Sequence, residues 1–179
     1  MTVLYIILAV LVVILLAIKC FFWKEGNTRV ILHADTHTPF AVEKMTDESL
    51  VLTSRVEFTN TGSQCATIVD CLLRTQLPYE QYDGIEVWGK IEREGTPRED
   101  DYFESTLIEG GEKLAIKVIV RLTARKGMDL RTALTHMVDL PMDIIYTQLG
   151  RRPWIMGKER IVLTSEEIAQ LAGVEVAND

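Results

Sequence analysis

The first 23 residues constrain this chain more than any other feature, because they are apolar almost without interruption. Only Thr2 and Lys19 fall outside the hydrophobic set in that stretch. At about 1.5 Å per residue, a helix over residues 3–23 is about 31 Å long, which matches a bilayer core of about 30 Å. The sequence therefore predicts a transmembrane anchor helix over residues 1–23, in contact with the lipid bilayer through residues 3–23.

The ends of this run carry side chains that suit a membrane interface. Amphipathic aromatic rings favour the headgroup level, and Lys can bury its methylenes while its ammonium reaches the headgroups. The residues expected to define the anchor are Val3, Tyr5, Ile18, Lys19 and Trp23.

A cleaved signal peptide or a lipoprotein signal is the alternative to an uncleaved anchor. A signal peptide has a basic n-region, a shorter apolar core and a small-x-small cleavage site. Here only Met1 and Thr2 precede the run, and Lys19 stands where a lipoprotein box needs a small residue. These features favour an uncleaved, single-pass signal-anchor.

The charges beside the run indicate an orientation. Lys19, Lys24 and Arg29 flank its C-terminal end, and Lys and Arg next to a span tend to stay cytoplasmic. We therefore predict a cell-membrane protein with its domain in the cytoplasm. The extracytoplasmic side is the alternative, because a short N-terminal anchor carrying a β-domain is also a common layout for exported proteins.

The charge of the chain excludes one class of partner. Lys19 is the only charged side chain in the first 23 residues, so the excess of 26 Asp and Glu over 19 Lys and Arg belongs to the rest of the chain. Nucleic-acid binding needs the opposite sign. We therefore expect no direct nucleic-acid binding.

Alternation of apolar and polar residues predicts half-buried β-strands after the anchor. The cleanest examples are residues 50–58 and 114–122. Further strands are predicted at 29–34, 40–43, 64–77, 85–92, 102–107, 142–148 and 154–163. Residues 60–63 predict a turn, because Asn and Gly tolerate positive φ.

Two short helices are predicted among the strands. Asp129 is a candidate N-cap, Thr164 with Glu167 forms a capping-box pattern, and Gly173 supplies a stop. Many short strands and few helices favour a mainly β fold, an antiparallel β-sandwich of immunoglobulin-like or similar type. The expected organisation is an anchor over 1–23, a linker over 24–28, the sandwich over 29–173 and a tail over 174–179.

The densest set of possible metal ligands is His33, Asp35 and His37. On an extended strand these alternate residues share one face, and two imidazoles with a carboxylate suit zinc or iron. The spacing matches no recognised motif, and Pro39 indicates that the strand is ending. A polar face or loop without a metal is the favoured interpretation, and we expect no cofactor.

Cysteines and basic pairs complete the candidate chemistry. On a regular strand Cys65 and Cys71 lie about 20 Å apart, too far for a disulfide, so they are predicted to be buried small hydrophobes unless a bulge intervenes. Two basic pairs are candidates for contact with anionic lipid, with isolated loop charges as the alternative. These pairs are Arg125 with Lys126 and Arg151 with Arg152.

These observations favour a non-enzymatic interaction or scaffold module, or an accessory subunit of a membrane-associated complex, with an unidentified protein partner. The alternative is a membrane-tethered hydrolase that depends on a metal or on a thiol. The oligomeric state stays open.

Overall fold

One long N-terminal helix leads into two antiparallel sheets and two short helices in the computed structural model, which describes residues 2–151 and 154–177. The elements are α1 (Thr2–Glu25), β1 (Val30–Leu32), a 3-10 turn (Ala34–Thr36), β2 (Ala41–Met45), β3 (Ser49–Asn60), β4 (Ala66–Thr75), β5 (Ile85–Arg93), β6 (Thr106–Ile108), β7 (Lys113–Ala124), α2 (Leu130–Thr135), β8 (Leu140–Leu149), β9 (Ile155–Leu163) and α3 (Ser165–Ala172).

The strands form a sandwich of two sheets. Sheet A has the order β1-β3-β7-β5, with β2 also paired to β3, and sheet B has the order β6-β4-β8-β9. Every pairing is antiparallel. The predicted fold class, a mainly β antiparallel sandwich with two short helices after an apolar N-terminal helix, is confirmed. Its finer immunoglobulin-like assignment stays a prediction.

The two ends of the sandwich differ. The β3–β4, β6–β7 and β8–β9 connections lie at the end where α1 joins, which we call the proximal end. The helices α2 and α3 and the β7–α2 loop lie at the opposite, distal end. Each long strand therefore connects a proximal loop to a distal one.

The alternation of apolar and polar residues along β3 and β7 matches the burial of their side chains. Every second residue is buried throughout β3 and in β7 as far as Leu122, and the intervening residues are partly or fully exposed. Phe58 on sheet A is fully buried and packs edge-on against Tyr146 of sheet B, with ring centroids 4.9 Å apart. This contact joins the two sheets near the proximal end of the core.

The predicted caps are confirmed. The Asp129 side chain accepts a hydrogen bond from the backbone N–H of Thr132 at the start of α2. Thr164 and Glu167 form the reciprocal capping box of α3, and Gly173 ends that helix with φ 66° in the left-handed region. Ala177, in the predicted tail, donates its backbone N–H to the Thr135 carbonyl.

Of the two cysteines after the anchor, Cys71 is buried as predicted and Cys65 is not. A bulge between Ile68 and Asp70 shifts the register of β4, so Cys71 points into the core. Cys65 precedes the strand and is exposed, so its predicted burial is wrong. Both are free thiols.

Candidate membrane-proximal site

Helix α1 is long and apolar enough to cross a membrane, by criteria that a signal sequence also meets. It has 24 residues, about 36 Å at 1.5 Å per residue, and none of them is buried against the sandwich. The helix extends through Glu25, two residues into the predicted linker. The residues predicted to define the anchor all lie on it: Val3, Tyr5, Ile18, Lys19 and Trp23.

The C-terminal end of α1 is hydrogen-bonded to the β3–β4 connection. Ser63 Oγ donates to the Glu25 carbonyl at 2.6 Å. Gln64 Nε2 donates to the same carbonyl at 3.0 Å and to the Glu25 carboxylate at 2.9 Å. Carbonyls at a helix end lack partners within the helix, so these donors satisfy groups that otherwise need water.

Two glycines allow the close approach at this junction. Gly26 has φ +70°, and a Cβ there would lie 2.2 Å from Ser63 Oγ. A Cβ at Gly62 would lie 2.2 Å from the Asn27 carbonyl oxygen. Gly62 is not in the positive-φ region, so the predicted reason for this turn is wrong: the position needs space rather than an unusual dihedral.

Asn60 organises the proximal end from inside. Its side chain is fully buried; Oδ1 accepts from the N–H groups of Arg29 and Gly62 at 3.2 and 3.0 Å. Nδ2 donates to the carbonyls of Gln64 and Ile108 at 2.8 and 3.0 Å. One amide therefore joins the segment before β1, the β3–β4 turn and β6.

Arg151, in the β8–β9 connection, contacts α1 directly. Its guanidinium carbon lies 4.2 Å from the centroid of the Phe22 ring, a cation–π geometry. Its Nη1 donates to the Gly26 carbonyl at 3.1 Å and lies 3.5 Å from the Phe22 carbonyl oxygen. A cation is favoured at a helix C-terminus by the helix dipole. The β8–β9 connection therefore lies beside the last turn of α1.

The other predicted lipid-contacting residues do not join Arg151. Arg125 and Lys126 follow the distal end of β7. At about 3.4 Å per residue, that end is about 37 Å from the proximal end of the strand at Lys113. Lys126 pairs with Asp83 at 2.6 Å. Arg152 lies outside the described residues. Arg151 therefore lies beside the end of α1, whereas Arg125 and Lys126 lie at the opposite end of the sandwich, and lipid contact by any of them stays a prediction.

The predicted histidine set is not on a strand, which corrects the premise of the metal hypothesis. β1 ends at Leu32, and the 3-10 turn includes Asp35, so alternate residues no longer share a face. His33 Nε2 lies 3.1 Å from Thr59 Oγ1, whereas His37 Nδ1 lies 2.8 Å from the Thr38 carbonyl oxygen. Within residues 2–151 and 154–177, no group of three or more His, Cys, Asp or Glu is placed to hold a metal ion. The metal site stays a prediction from the sequence alone.

A thiol nucleophile also finds no supporting geometry. Burial raises the pKa of the Cys71 thiol well above its ordinary value, which disfavours the reactive thiolate. The exposed Cys65 has its sulfur 3.8 Å from the Ala66 carbonyl. In the described part of the chain, no hydrogen bond joins a cysteine to a histidine ring.

A shallow groove of about 350 Å³ lies between residues 38–41, β3 and the β5–β6 loop. Arg55 at its edge pairs with Glu57 at 2.8 Å and with Glu94 at 2.9 Å. Hydrogen bonds lower the pKa of the Glu57 carboxyl. The bond from Lys113 has the larger effect, and the bond from Arg55 has the next largest. These charges are satisfied by one another, so the groove presents ion pairs rather than a poised acid or base.

Sequence reasoning missed the residues that build the junction: Asn60, Ser63, Gln64 and the reach of Arg151 to Phe22. An Asn followed two residues later by Gly was a usable signal, because such a side chain can bond neighbouring backbone groups. The contacts of Gln64 and Arg151 with the end of α1 join distant parts of the chain, so no local sequence pattern indicated them.

No protein-family model matches the chain, and no curated protein matches it. Among solved structures, the ApaA protein from Bordetella pertussis is similar over 76% of this chain and 94% of its own, at 14% identity and a TM-score of 0.46. The GAE domain of GGA2p from Saccharomyces cerevisiae covers 77% of this chain and 98% of its own, at 9% identity and a TM-score of 0.37. A FixG-related protein from Vibrio parahaemolyticus covers 77% and 95%, at 11% identity and a TM-score of 0.31. At these TM-scores the similarities carry no inference about function.

Proposed function

We propose that this protein is a single-pass, membrane-anchored interaction module whose sandwich is held in a fixed orientation on the bilayer surface. It acts without catalysis, as a scaffold or accessory subunit that presents the sandwich to a protein partner in a membrane-associated complex. The domains are the anchor, a short junction, the sandwich and a C-terminal tail.

The observation that carries this proposal is the hydrogen-bonded junction. A flexible tether lets a domain rotate and sample many heights above the membrane. Here Ser63, Gln64 and Arg151 bond the end of α1 from two different loops. Such a junction fixes which surfaces face the bilayer and which face a neighbour, and this is useful for assembly rather than for free diffusion of a tethered enzyme.

We place the sandwich in the cytoplasm, because Lys19, Lys24 and Arg29 flank the C-terminal end of the run and Arg151 adds a positive charge at the same level. Cys65 offers a direct test, since it is the exposed thiol outside α1 while Cys71 is buried. A membrane-impermeant maleimide should label Cys65 only after intact cells are permeabilised. Labelling from outside places the domain on the other side, and Cys65→Ser is the control for specificity.

The interaction role is tested by loosening the junction. A four-residue Gly-Ser insertion between Glu25 and Gly26 keeps the anchor and the sandwich but removes their fixed relation. A matched insertion after Gly173 leaves the junction intact. After mild detergent extraction, wild type and the control insertion should recover one stoichiometric partner, and the junction insertion should lose it.

Two results contradict the proposal. One is a clean monomer from wild-type membranes. The other is equal partner recovery with the junction insertion, because a fixed orientation then has no role in assembly. Membrane retention and the melting temperature of each variant show that the anchor and the fold are intact.

A further inference from the structure

Exposed apolar side chains gather at one end of sheet B. We call Leu107, Trp154, Ile155 and Met156 the interfacial patch; their exposed fractions are 62%, 68%, 36% and 74%. Isolated exposed apolar residues are ordinary on a protein surface, whereas a group of them at one place marks an interaction surface.

Strand register places this patch at the proximal end. Leu107 on β6 pairs with Thr67, which pairs on its other side with Leu149, the last residue of β8. Ile155 pairs with Gln148, one residue earlier on β8. The patch therefore lies on the last rungs of sheet B before the connections that contact α1, with Leu107 on the β6 edge and Ile155 and Met156 on the opposite, β9 edge.

The outer face of sheet B carries charges both beside the patch and away from it, since the exposed Asp70 lies on the same rung as Met156 and Thr147. Met156 pairs with Thr147, whereas four residues along β9 Arg160 pairs with Asp143, which pairs in turn with Arg74. Arg160 Nε donates to the Asp143 carboxylate at 2.8 Å.

The height of the patch follows from Arg151. Because its guanidinium stacks on Phe22, the β8–β9 connection reaches back beside the last turn of α1. Phe22 belongs to the last part of the apolar run, at the level of the interface when α1 spans the bilayer. Trp154 is three residues further along the same connection, and headgroup layers add roughly 5–8 Å on each side of the core.

We propose that the interfacial patch inserts into the headgroup layer of the leaflet from which α1 emerges, as a second lipid contact that tilts sheet B toward the membrane. This inference rests on the membrane anchoring proposed above. Trp and Met supply the apolar contact, and Trp is favoured at this depth because its ring has an apolar body and a polar N–H.

Tryptophan fluorescence tests the insertion in the full chain. The chain has three Trp residues, and three variants each keep one of them, with Phe at the other two positions. Trp154 is the test position and Trp23 on α1 reports the anchor. Trp88 is the matched control, because it stacks with Arg121 on the outer side of sheet A. Arg121 lies about 27 Å along β7 from the proximal start of that strand at Lys113.

Each variant is reconstituted into phosphatidylcholine vesicles with and without bromine on the acyl chains near the headgroups. The proposal predicts at least about a twofold loss of Trp154 emission in brominated vesicles, similar to that of Trp23, and little loss for Trp88. The Trp154 emission should also shift to shorter wavelength.

The outcomes separate this inference from the anchoring proposal. If Trp23 is quenched and Trp154 is quenched no more than Trp88, the anchor stands and the interfacial patch is refuted. The same holds if Trp154 emission is blue-shifted without quenching, because another protein surface then covers it. If Trp23 itself escapes quenching, the anchoring proposal fails and the patch fails with it.

Discussion

Replacing Asn60 should destabilise the sandwich more than its size suggests. In Asn60→Ala, the N–H groups of Arg29 and Gly62 and the carbonyls of Gln64 and Ile108 all lose their partner. A net hydrogen bond contributes about 1 kcal/mol, so the loss of four amounts to about 4 kcal/mol of unfolding free energy. In a chain of this length that corresponds to a melting temperature lower by about 8–16 °C.

Thermal unfolding of the full chain in detergent, followed by near-ultraviolet circular dichroism, measures this loss. Thr61→Ala is the matched control, because Thr61 Oγ1 makes one exposed hydrogen bond, to the Arg29 carbonyl at 3.2 Å. It should lower the melting temperature by about 2–4 °C or less. If Asn60→Ala costs no more than Thr61→Ala, Asn60 does not hold the proximal end together.

Asn60→Asp adds a second check on the same reasoning. Aspartate keeps the acceptor oxygen but has no N–H to donate, and its charge is buried. Burial raises a carboxyl pKa, so the variant should regain stability as the pH falls and the acid becomes neutral. A pH-independent loss would contradict the buried hydrogen-bond geometry.

Three further predictions concern the core and the surface. The Arg160 hydrogen bond lowers the pKa of Asp143, so wild type gains stability above about pH 4 that is lost as the pH falls through the folded pKa. In thermal melts at different pH, Asp143→Asn should lose less stability in acid than wild type does. Parallel profiles of the two proteins would contradict this prediction. Phe58→Ala should cost about 3–5 kcal/mol in chemical denaturation, and a cost below about 1 kcal/mol would mean that the site is not packed as described. In a Cys20→Ser variant, which removes the thiol of α1, thiol titration should count Cys65 in the native protein and Cys71 only after unfolding, because burial raises the pKa of the Cys71 thiol; a native reaction of Cys71 would contradict its burial.

The strands could be predicted because their signal is local. In β3 and β7, one face of the strand packs in the core and the other meets solvent. The order of apolar and polar residues therefore indicates which side chains are buried. The caps of α2 and α3 were equally accessible, since Asp129 and Thr164 act on backbone groups three residues away.

The failures have a different physical origin. The bulge in β4 depends on its pairing with β8, which no short window of sequence contains, and Cys65 lies before the strand and is exposed, whereas Cys71 is buried as predicted. The turn of His33 to His37 away from an extended strand is likewise set by contacts with β3, such as the Thr38 N–H bond to the Arg55 carbonyl. Tertiary pairing outweighed local pattern in both cases.

The junction shows the same limit for the candidate site. Arg151 could be recognised from sequence as a basic residue before an aromatic one, but its contact with Phe22 joins residues 129 positions apart. The distal placement of Arg125 is also a property of topology, because β7 runs from the proximal to the distal end. Both pairs are basic, so their charge did not show that Arg151 contacts α1 while Arg125 lies at the distal end.

The most direct test of the anchored module is the intact mass of the protein in alkali-washed membranes. An uncleaved α1 predicts that the protein stays in the washed membranes with a mass that includes the apolar residues before Lys24. A shorter chain that begins after this segment and is released in the alkaline wash would contradict the anchor and, with it, the fixed orientation of the sandwich.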